Sequence, residues 1–199
     1  MYYKIDHSGE GKYTEKMSRF LGFAMEVNSA EEAKEKVKEY QNRYCDSRHV
    51  CWAYMLGPEK TEWQLNDNGE PSGTAGKPIL GQIRSHDVTD VLVIVVRYFG
   101  GIKLGTSGLI SAYKEAARLA LEDAGRKEMH EMQELHIEVP YISADGVMRI
   151  IKETPEIEVM ERDFGNVITL RIKVRKADME EIAGRMGKTE GITIKVTDS

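Results

Sequence analysis

The chain has little cysteine, no long apolar run and no excess of positive charge, and each scarcity removes a class of protein from consideration. Two cysteines among 199 residues, Cys45 and Cys51, cannot build the disulfide framework of a small secreted domain. Their spacing with His49 fits no zinc or redox pattern, so free thiols in a reducing compartment, no metal centre and no cofactor are expected. The longest aliphatic run, Val91 to Val96, is far too short to span a bilayer, and the polar N-terminus lacks the basic-then-apolar order of a secretion signal. A cytoplasmic protein that does not enter a membrane is expected. A net charge of -5 argues against a protein that coats nucleic acid nonspecifically.

What the chain does have is glycine, concentrated in two loops. The run Arg97-Tyr98-Phe99-Gly100-Gly101-Ile102-Lys103-Leu104-Gly105-Thr106-Ser107-Gly108-Leu109 follows the aliphatic strand and opens a long helix. Such a loop bends tightly and admits close approach, and a helix starting from it points unpaired N–H groups and a positive dipole end outward. An anion or a carbonyl can be held there. The same glycines equally suit close packing of strand on helix with no ligand. Upstream, Asp67-Asn68-Gly69-Glu70-Pro71-Ser72-Gly73-Thr74-Ala75-Gly76-Lys77-Pro78 is a second irregular stretch leading into a short helix marked by Ile79, Leu80 and Ile83.

Taken with Cys51-Trp52-Ala53-Tyr54, these words resemble the YigZ/Impact family, whose N-terminal domain carries a Cys-Trp-Ala-Tyr strand, a Glu-Pro-Ser-Gly-Thr-Ala-Gly loop and an Arg-Tyr-Phe-Gly-Gly-x-x-Leu-Gly loop in this order. The match is specific over roughly residues 16 to 125. Two departures stand out. The strand is often preceded by two histidines in the family, whereas here His49 is followed by Val50; and a loop that commonly reads Gly-Ala-Gly-Gly here reads Gly105-Thr106-Ser107-Gly108. The resemblance implies an α+β first domain with the fold shared by a domain of a small-subunit ribosomal protein and the GHMP kinases. It also implies a role in translation, because eukaryotic Impact proteins are translational regulators that compete for a partner of a stress kinase.

Periodicity supplies the remaining elements. Lys12 to Val27 alternates as strands, and Ser29 with Glu32 forms a capping box for a charged helix ending near Tyr44. Val50 to Leu56 and Trp63 to Leu65 read as strands around a Gly57-Pro58 turn. Val91 to Tyr98 is a buried strand, and a helix from about Leu109 to Ala124 is stopped by Gly125. Residues 126 to 133 read as a linker or helix extension. Beyond them, strands at 135–139, 157–161, 167–174 and 192–196 alternate with helices at 143–153 and 178–186, the ferredoxin-like βαββαβ order. The expected architecture is thus α+β, with a first domain over residues 1–130 and a ferredoxin-like domain over 134–199.

Candidate site residues follow from this frame. Glu70, Ser72, Gly73, Thr74, Lys77, Arg97, Gly100, Gly101, Lys103, Gly105, Thr106 and Ser107 are the candidates for binding an anion or ligand across the two loops, with His49 as a possible site histidine and Asp67 as a further carboxylate. In the second domain, Arg171, Lys173 and Arg175 share one strand face and form a candidate nucleic-acid stripe with Lys195, unless they are simply the solvated side of a sheet. No nucleophile elbow or Walker motif is present, since Gly100 to Gly105 has the Gly-x-x-x-x-Gly spacing but no lysine after it. The reading leans away from an enzyme. A translation-associated binding protein is expected, contacting the ribosome, RNA or a translation-regulatory protein. The alternative is an enzyme or sensor of a small phosphorylated or carboxylated ligand at the paired loops.

Overall fold

The computed structural model describes residues 1–197. They divide into two compact units, Met1–Met129 and His130–Ser199, the last two residues lying outside the description.

The first unit is a three-layer sandwich. Strands β1 (Tyr2–Lys4), β2 (Gly9–Glu15) and β3 (Ser18–Glu26) lead into α1 (Ala30–Arg43). Next come β4 (His49–Leu56), β5 (Glu62–Asn66), α2 (Gly76–Ser85), β6 (Val91–Tyr98), α3 (Gly105–Ala124) and β7 (Lys127–Met129). The main sheet runs β2-β3-β6-β4-β5, with every neighbouring pair antiparallel. Its centre, β6, is aliphatic on both faces because helices cover both. Val91, Val93 and Val95 pack with α2 and α3, while Leu92, Ile94 and Val96 belong to the core that includes Ala33 and Val37 of α1. Burial of each such side chain contributes about 1.5–3 kcal/mol.

Glycine lets α3 lie close on the sheet. A Cβ on Gly22 would stand 2.3 Å from the Ala116 carbonyl oxygen, and one on Gly11 would stand 2.6 Å from the Ala120 nitrogen. The helix answers with a stripe of fully buried alanines, Ala112, Ala116, Ala117, Ala120 and Ala124. The capping box at α1 is present in a shifted form. The Ser29 hydroxyl accepts from the Glu32 N–H, but the Glu32 carboxylate reaches back to the N–H of Asn28, one residue before the cap.

Two expectations need correction. Residues 126–133 are neither linker nor helix extension: β7 pairs with β1, Tyr2 opposite Met129 and Lys4 opposite Lys127. Three-residue strands are too short to display a period, so only the pairing reveals them. The third helix also begins a full turn before Leu109, at Gly105, whose φ of +74° is paid no steric penalty in glycine.

The second unit contains β8 (Met132–Val139), α4 (Ala144–Glu153), β9 (Glu158–Phe164), β10 (Ile168–Arg175), α5 (Met179–Met186) and β11 (Thr193–Thr197). Their order is the expected βαββαβ, and the antiparallel sheet runs β11-β8-β10-β9. Leu135, Ile137, Leu170, Ile172 and Val174 of the inner strands form a core of their own with Val147, Ile182 and Met186 of the two helices.

Candidate binding cleft

Three turns at one end of the first sheet build the site. The chain leaves β5 through Asn66, whose side-chain oxygen accepts from the Asn68 N–H at 2.7 Å and fixes a turn with Asn68 and Gly69 both at positive φ. Asn68 in turn holds the start of β4: its side-chain oxygen accepts from the Val50 N–H, and its carbonyl lies 2.8 Å from His49 Nδ1. A carbonyl only accepts, so Nδ1 carries the proton and Nε2 is left to face Glu70 Oε1 at 3.8 Å.

The cleft floor is a buried polar cluster. Glu70 has a side chain only 3 % exposed, yet its Oε1 receives the Arg97 Nη1–H at 2.6 Å and the Tyr113 hydroxyl at 2.7 Å. Behind it the Cys51 thiol donates to the Asp67 carbonyl at 3.0 Å and lies 3.3 Å from the Tyr113 oxygen. Burial, with the nearby Glu70 carboxylate adding to it, pushes both the Cys51 thiol and the Tyr113 phenol far up, so both stay protonated across the physiological range. The Arg97 guanidinium carbon lies 5.5 Å from the ring centroids of both Phe20 and Phe99.

Above this floor lies an open cleft of about 490 Å³, whose walls come from both glycine loops. Glu70 and Pro71 arrive from the first loop; Arg97, Phe99, Lys103, Leu104, Gly105 and Thr106 arrive from the second. Of the residues proposed from sequence, Glu70, Arg97, Lys103, Gly105, Thr106 and His49 therefore meet. Arg48, Phe99 and Leu109 also line the cleft and were not anticipated. Phe99 lies inside the recognised Arg-Tyr-Phe-Gly-Gly word and Arg48 just before His49, but nothing in their local pattern marks them as facing an opening.

Of the other first-loop candidates, Gly73 and Thr74 serve the loop itself. The Asp67 carboxylate already takes the N–H groups of Gly73, Ala75 and Gly76 at 2.8–3.0 Å, so the start of α2 is closed by the chain's own anion. Thr74 is buried, its hydroxyl donating to the Pro71 carbonyl. Ser72, Lys77, Gly101 and Ser107 lie outside the cleft lining. Gly100 is there for packing, since a Cβ would stand 2.1 Å from the Met17 carbonyl carbon. The start of α3 differs: no side chain caps it and no acidic residue occupies its first turn.

In the second unit, Arg171, Lys173 and Arg175 alternate with buried Leu170, Ile172 and Val174, so they do share the open face of β10. Carboxylates flank them on both neighbouring strands. Lys173 lies opposite Glu134 and Glu158, and Arg171 pairs with Glu134 at 3.1 Å and Glu161 at 3.5 Å. Lys195 stands across from His136 on β8. The face is a mixed-charge surface in which Arg171 and Lys173 have acidic neighbours, while Arg175 lies opposite Met132.

Fold and site together define a two-unit α+β protein with a glycine-loop cleft floored by a buried Glu–Arg–Tyr cluster. The Impact N-terminal domain matches residues 16–121, and the chain belongs to the Impact family. The Impact family member YvyE of Bacillus subtilis is 35% identical over 153 residues, 77% of this chain and 70% of that protein. The Impact family member YigZ of Escherichia coli is 31% identical over 173 residues, 86% of this chain and 84% of that protein. A solved structure described as a hypothetical protein superposes with a TM-score of 0.69 at 26% identity, covering 100% of this chain and 98% of its own. Among the described residues no helix is long and apolar enough to cross a membrane.

Proposed function

We propose that this is a cytoplasmic, translation-associated regulatory protein that binds the ribosome, RNA or a translation-regulatory protein, using the cleft of its first unit as the contact site. Membership in the Impact family supports the setting. The observation that supports binding over turnover is the state of the cleft floor: the thiol of Cys51 and the phenol of Tyr113 are held protonated and bonded to their neighbours, and neither is activated as a nucleophile. The open face of the second unit contributes little, because its basic stripe is interleaved with carboxylates.

Co-sedimentation of the full chain with ribosomes through a sucrose cushion tests this. Association is expected and is expected to fall with Lys103→Glu, while Arg171→Ala, Lys173→Ala and Arg175→Ala together leave the binding and its salt dependence unchanged. Loss of association and a flattened salt slope in the triple variant would move the contact to the second unit. A second reading is favoured by the cleft itself, whose volume suits a small ligand: an enzyme or sensor acting on a metabolite between the loops. Saturable binding of a small molecule in the absence of any ribosome association would select it.

A further inference from the structure

The geometry points to an oxyanion, a carboxylate or phosphate group, as the chemical head that this cleft accepts, gripped by the free edge of the Arg97 guanidinium and the start of α3, with Phe99 as the cover over it. The inference rests on the cleft being the contact site.

Arg97 carries the argument. Its side chain is only 6 % exposed, and it gives Nη1 to Glu70, yet its buried Nε–H has no partner. A buried donor left unpaired costs about 1–3 kcal/mol, more on a charged group. A guanidinium is built to present paired donors along an edge to a carboxylate or phosphate. Of its two aromatic neighbours, Phe20 is fully buried while Phe99 is half exposed, so the Phe99 side is the one a side-chain rotation can open. Glu70 does not repel the incoming anion outright, because Arg97 and Tyr113 already share its charge.

The surroundings fit the same head group. The α3 start lines the cleft through Gly105 and Thr106 with no capping side chain, in contrast to α1, closed by Ser29, and α2, closed by Asp67. Arg48 and Lys103, both exposed, add positive charge at the rim. One carboxylate, Glu70, therefore faces Arg48, Arg97 and Lys103 in the lining. Whether the head group belongs to a free metabolite or to a partner's acidic group, the recognising chemistry is shared.

Amide and arginine side-chain NMR of the full chain, titrated with inorganic phosphate, acetate and acetamide, reads this directly. Saturable shifts at Gly105, Thr106 and the Arg97 Nε–H are expected with phosphate or acetate and none with acetamide, which has the shape but not the charge. The tighter of the two anions identifies the source as phosphate or carboxylate. Lys103→Glu and Arg48→Glu, surface changes that leave the floor intact, should each weaken binding about tenfold, the loss of one close charge contact. Phe99→Ala should tighten it severalfold, and an unchanged or weakened affinity overturns the cover. Absence of saturable shifts at these groups, or equal shifts in the charge-reversed variants, overturns the oxyanion site. Ribosome association that persists in the unsubstituted chain alongside such a negative result leaves the proposed function standing and removes this inference alone.

Discussion

Removing the guanidinium that faces Glu70 is the sharpest perturbation of the cleft floor. Arg97→Met keeps an unbranched apolar stem beside Phe20 and Phe99 but strands a carboxylate whose side chain is 3 % exposed, leaving it one hydrogen bond, from the Tyr113 hydroxyl, and the His49 ring at 3.8 Å. Breaking a buried ion pair from one side costs about 3–5 kcal/mol. With a urea slope of about 2 kcal/mol per molar, the midpoint falls by about 2 M. Glu70→Gln strands the arginine instead and is expected to cost a similar amount. The double variant removes both charges, and its amide keeps an oxygen for Tyr113, so it should be no less stable than either single change. Tryptophan fluorescence is the assay, because both tryptophans, Trp52 and Trp63, lie in the first unit and report its unfolding separately from the second. Additive losses, with the double variant as unstable as the two singles summed, would refute the argument that these charges depend on each other.

Three further outcomes are expected. Asp67→Ala frees the N–H groups of Gly73, Ala75 and Gly76 together and should lower stability by about 1–2 kcal/mol, read by the same fluorescence transition; an unchanged midpoint would mean water replaces the carboxylate without loss. Gly22→Ala drives a Cβ to 2.3 Å from the Ala116 carbonyl oxygen and should abolish soluble expression or cost several kcal/mol, whereas Gly81→Ala in α2, with open space around it, should stabilise by about 0.5–1 kcal/mol. Residues 130–199 expressed alone should show a single cooperative urea transition by circular dichroism, since their core draws on no residue before Leu135; a gradual, featureless curve would show that the second unit depends on the first.

Much of this molecule was legible from sequence wherever side-chain chemistry repeats with a period. The β6 strand was readable because Val91 to Val96 is an unbroken aliphatic run, and β10 because its cations alternate with aliphatics. The two glycine loops were readable as a pair, and both do reach one cleft. What stayed hidden was the direction of polar groups. Asp67 looked like one more carboxylate beside a ligand loop, but its backbone position folds it onto three N–H groups of its own chain. Tyr113 sat in a helix with nothing to mark it, Cys51 was marked only as the start of a strand word, and only tertiary packing brings them to the Glu70 cluster. The acidic neighbours of Arg171 and Lys173 come from the preceding strand β9 and from β8, and only the strand register sets them opposite the cations, so the stripe looked more basic along the chain than it is across the sheet.

The short pairing of β1 with β7 gives the first unit a mechanical character. Tyr2 and Met129, the outermost residues of the pair, stand opposite each other, so the chain enters and leaves the unit at the same point. Tension applied between those two points meets the antiparallel bonds end-on and opens them one after another, as a zipper opens, without loading them all at once. Just inside, Ile5 is sealed in the core and the next two N–H groups are tied to the Ala124 carbonyl. Traction on this protein, of the kind an unfolding protease exerts, would thus peel a few residues easily and then stall at Ile5, where further extension must pull an apolar side chain out of the core.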